Sequence, residues 1–500
     1  MQSSMFNVRV PLTELGGSQD VFLMNTFTDA QLVVGPEVTT LLDRVTGSGD
    51  GSLFASLTAE EREALSTLVE HGFVVESREA ERQRLEAFFR DVREGEEELK
   101  VTVLTTLQCN FACDYCIQGD HGDYNRTAAK MSLDDAARVA GWIEARMDAV
   151  HPSRFVLTFF GGEPLLNLPV MYFLAERLWA SCEARGVRML INVITNGLLL
   201  TPEVVDRLEP FGLNGFKITL DGDRDTHNRM RPLRGGQGTF DKIIANIRRV
   251  AGRCSITLGG NFDETSVDSY PDLLDFLASQ DFAPHISRVA FKPVIRDVMP
   301  AVTAGLEPTA KAGLLARRSP GEGAKFIGLT PVSDGKPLNG TCMTSAGTGT
   351  TAGARDTCHF LDDRMSFLRD ETKKRGFRTS DGVHMGPCEI HKKHAYTIGP
   401  AGDLYACPGF TGDTKMSTGH IDGRSDNLRL AASSRFEQLA AWKECRDCAF
   451  IPVCAGGCTV ASHAELGDMN TPNCHKKSFE AGVVSMARDA AATLVGELAN

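Results

Sequence analysis

The stretch TTLQCNFACDYCIQG, residues 105–119, decides the fold. Cys109, Cys113 and Cys116 form a C-x3-C-x2-C array, and Tyr115 directly precedes the last thiol. Three thiolates this close together can hold one face of a metal centre but cannot close it. Structural zinc takes four ligands, whereas a [4Fe–4S] cube held by three cysteines keeps one iron open to an outside ligand. The array therefore indicates an open iron–sulfur site, with a zinc knuckle as the competing interpretation.

An apolar stretch, residues 99–104 (LKVTVL), precedes the array and predicts a β-strand. The cysteines would then lie on the loop after a first strand, where α/β barrels carry their chemistry. Amphipathic stretches, such as 132–149 and 239–250, alternate with further strand-like runs. Repeated βα units imply a parallel sheet with right-handed crossovers. The expected strands are 99–105, 154–160, 187–195, 215–221, 255–261 and 288–295.

A C-x3-C-x-aromatic-C array after a first strand resembles the radical S-adenosylmethionine (SAM) superfamily. The resemblance implies that the three thiolates hold a [4Fe–4S] cluster whose open iron takes the amino and carboxylate groups of SAM. An electron from the cluster then cleaves SAM to a 5′-deoxyadenosyl radical. The fold expected from it is α/β, with an open partial (β/α)6 TIM-type barrel over residues 99–300. The missing wall of such a barrel would leave a lateral opening for a peptide.

Polar residues follow three of the expected strands. These strands end in FGGEP (160–164), ITNG (194–197) and TLDG (219–222). Glycines allow a backbone to approach a ligand, a carboxylate accepts from an ammonium group, and an arginine can bind a carboxylate bidentately. In the family that the chain resembles, such strand ends contact the amino group, ribose and carboxylate of SAM. The expected SAM contacts are Tyr115, Gly161, Gly162, Glu163, Thr195, Asn196, Thr219, Asp221 and Arg231. For Asp221 and His227, a structural capping role is the alternative.

A second group of cysteines lies towards the C-terminus. Cys388 is followed by Gly402 and Cys407, then by C-x2-C-x5-C-x3-C over 445–458, then by Cys474. This order resembles the SPASM extension of peptide-modifying radical SAM enzymes, which holds two auxiliary [4Fe–4S] clusters. The resemblance assigns Cys388, Cys407 and Cys458 to the first cluster, and Cys445, Cys448, Cys454 and Cys474 to the second. A fourth ligand of the first would be Cys342 or Cys358, unless a substrate thiolate binds there. A zinc ribbon is the competing interpretation of 445–474.

The N-terminal residues 1–77 predict a small separate domain. Strand-like runs at 6–12, 21–27 and 73–75 flank helices at 36–45 and from 59 onward, the second opened by a capping box at Thr58. This pattern resembles the winged-helix-like leader-peptide recognition domains of ribosomal-peptide maturases, which add the leader as an extra strand. A scaffold that only packs on the barrel is the alternative. The other expected segments are a linker helix (78–98), a bridging region (301–387), the SPASM domain (388–475) and a C-terminal helix (476–500).

Composition narrows the setting of the protein. A net charge of −12 disfavours sequence-independent nucleic-acid binding. The sequence contains no run of 18 apolar residues, so no membrane span is expected. The N-terminus lacks a signal-peptide pattern, so the expected location is cytoplasmic and the 14 cysteines indicate metal ligands rather than disulfides. Cys182 and Cys254 are expected to be core residues. A solvated basic loop is expected around His384, His391 and His394.

Together these features predict a radical SAM peptide maturase. It would modify a ribosomally made precursor peptide, forming a thioether or other crosslink, and take electrons from a flavodoxin or ferredoxin. One alternative is an anaerobic sulfatase-maturing, formylglycine-generating enzyme. Those proteins carry Asp directly after the Cys of G-x4-C, where this chain has Pro408. The other alternative is a non-catalytic iron–sulfur electron carrier, which the GGEP and TLDG segments disfavour.

Overall fold

The computed structural model describes residues 1–15, 19–47, 56–116, 129–295, 352–384 and 386–498. Cys342 and the side chain of Cys358 lie outside the described part of the chain. No helix in the described residues is long and apolar enough to cross a membrane.

The N-terminal part pairs a small antiparallel sheet with two helices. Thr58 and Glu61 exchange the two hydrogen bonds of a capping box at the start of the second helix, which confirms the expected signal. Strands β2, β3 and β4 form the sheet in that order, and β1 pairs with β5. The elements are β1 (Gln2–Ser3), β2 (Asn7–Pro11), β3 (Val21–Asn25), β4 (Gln31–Val34), α1 (Pro36–Gly47), α2 (Ala59–Glu70) and β5 (Val74–Val75).

Successive residues of a strand point to opposite sides of a sheet. Both sides of this small sheet are covered by other parts of the protein. Leu23 packs with the helices of the N-terminal part, whereas Phe22 and Met24 share an apolar core with the C-terminal residues Phe479 and Val483. The N-terminal part is therefore built into the rest of the protein through one side of its sheet.

A long helix, α3 (Arg78–Glu94), leads from this part to the barrel. It ends four residues before the expected boundary at 98, because Glu98 already pairs as the first residue of the next strand. Phe89 is buried and stacks on Trp442 with ring centroids 4.4 Å apart. The buried side of this helix thus packs against the C-terminal cysteine region.

Six parallel strands form the centre of the molecule in the order β11-β10-β9-β8-β7-β6. In the strand that comes first in the chain, alternate residues are buried against the surrounding helices, namely Leu99, Val101 and Val103. This arrangement confirms the expected α/β class and the partial barrel. The strands are β6 (Glu98–Thr106), β7 (Arg154–Gly161), β8 (Arg188–Thr195), β9 (Leu213–Thr219), β10 (Ser255–Phe262) and β11 (Ile286–Pro293). The helices are α4 (Leu133–Val150), α5 (Leu168–Arg185), α6 (Pro202–Leu208), α7 (Arg224–Met230), α8 (Phe240–Val250), α9 (Tyr270–Ala278) and α10 (Ala352–Lys374).

The C-terminal region extends the same sheet. Strand β12 (Ala395–Ile398) pairs in parallel with β6, and β13 (Asp403–Tyr405) and β14 (Gly419–His420) follow in antiparallel order. The sheet therefore has nine strands, and its β6 edge is covered. At the opposite edge, Val289 N of β11 donates to Arg378 O at 2.8 Å. The two longest helices of the described part of this region are α11 (Asn427–Glu437) and α12 (Lys476–Leu498), and short helical turns lie at Ile451–Cys454 and Thr459–Ala461.

The histidine-containing loop before β12 departs from expectation. His391 and His394 are only 3% and 9% exposed, so the prediction of a solvated loop is wrong for both. The physical reason is strand pairing, since Lys100 N donates to His394 O and draws the loop against the edge of β6. His384 is partly exposed and contacts Asp29 and Asp381. Cys182 is buried, as expected of a core residue, and Cys254 is half-buried.

Candidate functional site

Strand β7 docks its GGE end onto the loop that carries the first three cysteines. Gly162 N donates to Thr106 O at 2.9 Å, and Glu163 N donates to Gln108 O at 2.8 Å. A Cβ atom on Gly161 would lie 2.2 Å from Thr106 O, and one on Gly162 would lie 2.1 Å from Gln108 O. Both contacts are impossible for a side chain. These glycines therefore make room for the cysteine loop. The expectation from the sequence was different, namely that they allow a ligand to approach the backbone.

Of the three cysteines of that loop, Cys113 is buried and Cys109 and Cys116 are half-buried. Burial raises the pKa of Cys109 and of Cys113 to about 12, and the charge of neighbouring thiolates, including Cys116, adds to the effect. Arg231 acts in the opposite direction on Cys113. Thiolates in such a place need a strong cationic partner, and a coordinating metal centre provides one because it deprotonates its thiol ligands outright. The donor set thus fits the expected cluster, and the ligand roles of the three cysteines stay predictions.

Glu163 is fully buried and held by three donors. Its Oε1 accepts from Thr195 Oγ1 at 2.7 Å and from Leu165 N at 3.0 Å, while Oε2 accepts from Asn196 N at 2.8 Å. Burial raises the pKa of this carboxyl group, and the three hydrogen bonds oppose that shift. A carboxylate has about four acceptor sites, so one remains for a ligand.

Three residues, Thr195, Asn196 and Thr219, have the hydroxyl or amide groups expected at the SAM ribose, and the first two have other partners. Thr195 Oγ1 donates to Glu163, and Asn196 Nδ2 donates to Asn110 Oδ1 at 2.8 Å. Asn110 lies between the first two cysteines of the array, so Asn196 ties the end of β8 to the cysteine loop. Thr219 is half-buried at the end of β9. In this structure Thr195 and Asn196 position other groups of the site.

A second buried network connects the loop to the ends of β9 and β10. The Tyr115 hydroxyl donates to Asp221, and Arg231 Nη1 donates to both of them. Asp221 Oδ1 accepts from Asn261 N at 2.7 Å, and Asn261 Nδ2 donates to the Tyr115 oxygen at 3.2 Å. Burial raises the pKa of Asp221, and Arg231 opposes that shift.

Arg231 has one hydrogen-bond donor that no described residue uses. Its Nε is buried and has no hydrogen-bond partner among the residues that the structure describes. A carboxylate ligand would satisfy it, which is the fit that the expected SAM carboxylate requires. His227, by contrast, is fully buried, and its Nδ1 accepts from Asp221 N at 3.1 Å. The structural role is therefore confirmed for His227.

The C-terminal cysteines form two groups. Cys388, Cys407 and Cys458 approach one another, and burial with the neighbouring thiols raises the pKa of Cys407 to about 12. The other four line one pocket together with Phe450 and Phe479. They are Cys445, Cys448, Cys454 and Cys474. The partition matches the expected assignment, including the crossing of Cys458 into the first group.

All the described cysteines of these two groups are free thiols. Across the described ranges, no three His, Cys, Asp or Glu side chains converge closely enough to hold one metal ion. Tetrahedral zinc would require all its sulfurs at about 2.3 Å from one point. Both the cluster and the zinc ribbon therefore stay open for 445–474, and no disulfide joins the described cysteines. The cluster assignments stay predictions.

Sequence reasoning missed two kinds of residue at the site. Asn110 and Asn261 complete the networks above, and Asn261 was recognisable because it is the polar residue next to the end of β10, much as Thr219 ends β9. Lys217 and Lys292 lie on β9 and β11, close enough for their charges to repel each other. The charge of Lys292 also acts on Cys407. No local pattern marks the lysines, since their proximity depends on strand register.

Comparison with known proteins points to the same part of the chain, the cysteine loop and the strands around it. Residues 103–276 match the model of the radical SAM superfamily. The chain is 24% identical over 378 residues to the mycofactocin maturase MftC of Mycobacterium tuberculosis H37Rv, covering 71% of this chain and 77% of that protein. It is 31% identical over 146 residues to the GTP 3′,8-cyclase of Synechococcus sp. WH7803, covering 28% of this chain and only 39% of the cyclase.

A solved structure has a similar fold. Native anSMEcpe with bound AdoMet superposes with a TM-score of 0.52 at 15% identity, covering 79% of this chain and 99% of that one. Identity this low supports the fold alone. The segment that matches the radical SAM superfamily, 103–276, is the one that carries the cysteine loop and the strand ends around it.

Proposed function

We propose that the chain is a radical SAM peptide maturase that modifies a ribosomally made precursor peptide by forming a thioether or other crosslink. One observation carries the SAM part of this proposal. Glu163 has an acceptor position to spare and Arg231 an unused Nε donor, and both are buried beside the cysteine loop. An acceptor and a donor in this relation complement the ammonium and carboxylate groups of an amino acid, which SAM carries at one end.

The residues of the chain then have distinct tasks. Cys109, Cys113 and Cys116 would hold the cluster, which together with SAM supplies one-electron chemistry that removes a hydrogen atom from the substrate. Glu163 would bind the ammonium group, and Arg231 the carboxylate. The Tyr115–Asp221 contact holds the loop against the strand ends, and enclosure of the site excludes water.

The two C-terminal thiol groups support the peptide-directed part of the proposal. We assign Cys388, Cys407 and Cys458 to a first auxiliary [4Fe–4S] cluster and the four pocket-lining cysteines to a second. The charge of Lys292 on β11 acts on Cys407, so the first group lies near the sheet that would carry the SAM site. One relative is named a mycofactocin maturase, and a structure of anSMEcpe contains AdoMet with a Cp18Cys peptide.

The N-terminal sheet would receive the leader of the precursor. Strand β4 pairs with β3 on one side only within the described residues, and its residues are half-buried or exposed. An added strand on that edge is the recognition mode expected of a leader. A flavodoxin or ferredoxin would supply electrons.

Anaerobic reconstitution tests the proposal. Iron, sulfide and brown absorption should appear, and SAM with reductant should give 5′-deoxyadenosine. Coexpression with a short peptide encoded beside the gene should remove two hydrogens from that peptide, as read by mass spectrometry. Zinc in place of iron would contradict the cluster assignment. Formylglycine in a sulfatase peptide would favour the sulfatase-maturing alternative, and an iron-loaded protein that never cleaves SAM would favour the electron carrier.

A further inference from the structure

A buried arginine lies at the junction of the last barrel helix and the C-terminal helix. Arg369 of α10 is 6% exposed, and its Nη1 has no hydrogen-bond partner among the described residues. Two glycines enclose its guanidinium group. A Cβ atom on Gly382 would lie 2.3 Å from Nη2, and one on Gly482 would lie 3.2 Å from Nη1. The backbone of two segments therefore packs directly on this cation and confines it.

The acidic groups nearest to Arg369 are engaged elsewhere. Asp381 Oδ1 accepts from Val383 N and His384 N at 2.8 and 2.9 Å, and its Oδ2 contacts the His384 ring at 2.6 Å. Asp370 contacts Arg488 at 3.9 Å. Burial lowers the pKa of Arg369, and the charges of Asp370 and Asp381 oppose that shift only in part, as expected of a buried cation that forms no direct ion pair with either. Such a charge is costly until an anion pairs with it.

Arg369 also lines a small cavity beside β11. The polar residues of its wall are Thr372, Thr379 and Ser380, and Phe291 and Met365 contribute apolar surface. Thr372 donates its hydroxyl to Leu368 O at 2.6 Å, so Thr379 and Ser380 are the hydroxyls with a hydrogen to offer. The space is about 30 Å³, enough for one or two oxygen atoms. A whole metabolite does not fit, but the end of an oxyanion does.

We propose that Arg369, Thr379 and Ser380 form a binding site for a single oxyanion group, either a carboxylate or an inorganic oxyanion such as sulfate or phosphate. The site lies between α10 and β11, on the helix side of the sheet, and is separate from the cysteine loop. Its occupant would neutralise Arg369 and join α10 to the segment that carries Asp381 and Gly382. The proposal does not depend on the peptide-maturase function.

Thermal unfolding of the reconstituted full chain tests this site. At constant ionic strength, replacing chloride by sulfate should raise the melting temperature saturably, by roughly 2 °C at tenfold the Kd. Arg369→Met should abolish the rise, and Arg369→Lys should weaken it. Arg364→Met is the matched control, because Arg364 is on the same helix but is partly exposed and paired with Asp268 at 3.2 Å. An equal rise in Arg369→Met, or no rise beyond chloride in the parent, would overturn the proposal.

Two further arms complete the experiment. Phosphate, acetate and N-acetylglutamate, tested in the same way, distinguish an inorganic oxyanion from a carboxylate by which of them saturates at the lowest concentration. If Arg369→Met does not fold, modification of the parent by phenylglyoxal with peptide mapping replaces it. Sulfate should slow modification of Arg369 several-fold and leave that of Arg364 unchanged. Equal rates with and without sulfate at Arg369 would refute the site.

Discussion

Replacing Glu163 by glutamine should separate SAM binding from cluster assembly. The substitution keeps the size of the side chain and removes its charge. It also places an amide NH₂ where Glu163 now presents one of two oxygens to the donors Thr195, Leu165 and Asn196. One of these donors would then face another donor. The variant thus loses the charge that the proposed ammonium contact requires. It also replaces one of the present hydrogen bonds by an unfavourable contact between two donors.

The expected magnitude follows from a charge-assisted hydrogen bond. Such a bond contributes about 1.5–3 kcal/mol, so the Kd for SAM should rise roughly 10- to 150-fold. Equilibrium dialysis of the reconstituted protein measures this Kd, and iron content measured beside it should remain at the parent value because no thiol has changed. Glu144→Gln, at a partly exposed ion pair with Arg177, is the matched control. A change in Kd below threefold with intact iron content would refute the role of Glu163.

Three other changes test neighbouring parts of the structure. Gly162→Ala should prevent the docking of β7 on the cysteine loop, because its Cβ would lie 2.1 Å from Gln108 O, and iron bound after reconstitution should fall severalfold. Cys458→Ala should remove the first auxiliary cluster and lower iron from about twelve to about eight per chain, whereas Cys182→Ala should leave iron unchanged. Burial opposes protonation of His384, but its two aspartate partners raise its pKa in the folded protein. The stability that the protonated ring contributes to the fold is therefore present below the unfolded pKa and is lost as pH rises through the folded pKa. His384→Gln should therefore cost about 0.5 kcal/mol at pH 5.5 and almost nothing at pH 9 in urea unfolding; an equal cost at both would contradict this.

The barrel was predictable from the sequence because its signals are local and repeated. Each parallel strand carries apolar residues that are buried against helices, and the cysteine array marks the loop after the first strand. Boundaries were less accurate. The strand expected at 215–221 lies at Leu213–Thr219, so Asp221 falls just after the strand. Short strands such as β12 depend on pairing with β6, and no local pattern predicts that pairing.

The candidate site shows where sequence reasoning ends. Residue types around SAM followed from the resemblance, and Arg231 has the unused donor that this role needs. The internal partners of Thr195 and Asn196 were not predictable, because they depend on side-chain directions at three strand ends. The same holds for Gly161, whose necessity comes from a backbone oxygen more than fifty residues earlier in the chain.

The pairing of β12 with β6 has a consequence for anyone who shortens this protein. Removing the residues after 387 would strip the neighbour from Lys100–Val103 and leave a bare row of amide and carbonyl groups on a central strand. Exposed strands of this kind recruit one another between molecules. A barrel expressed alone should therefore precipitate or form dimers, and trimmed versions for crystallisation should retain the chain through His420.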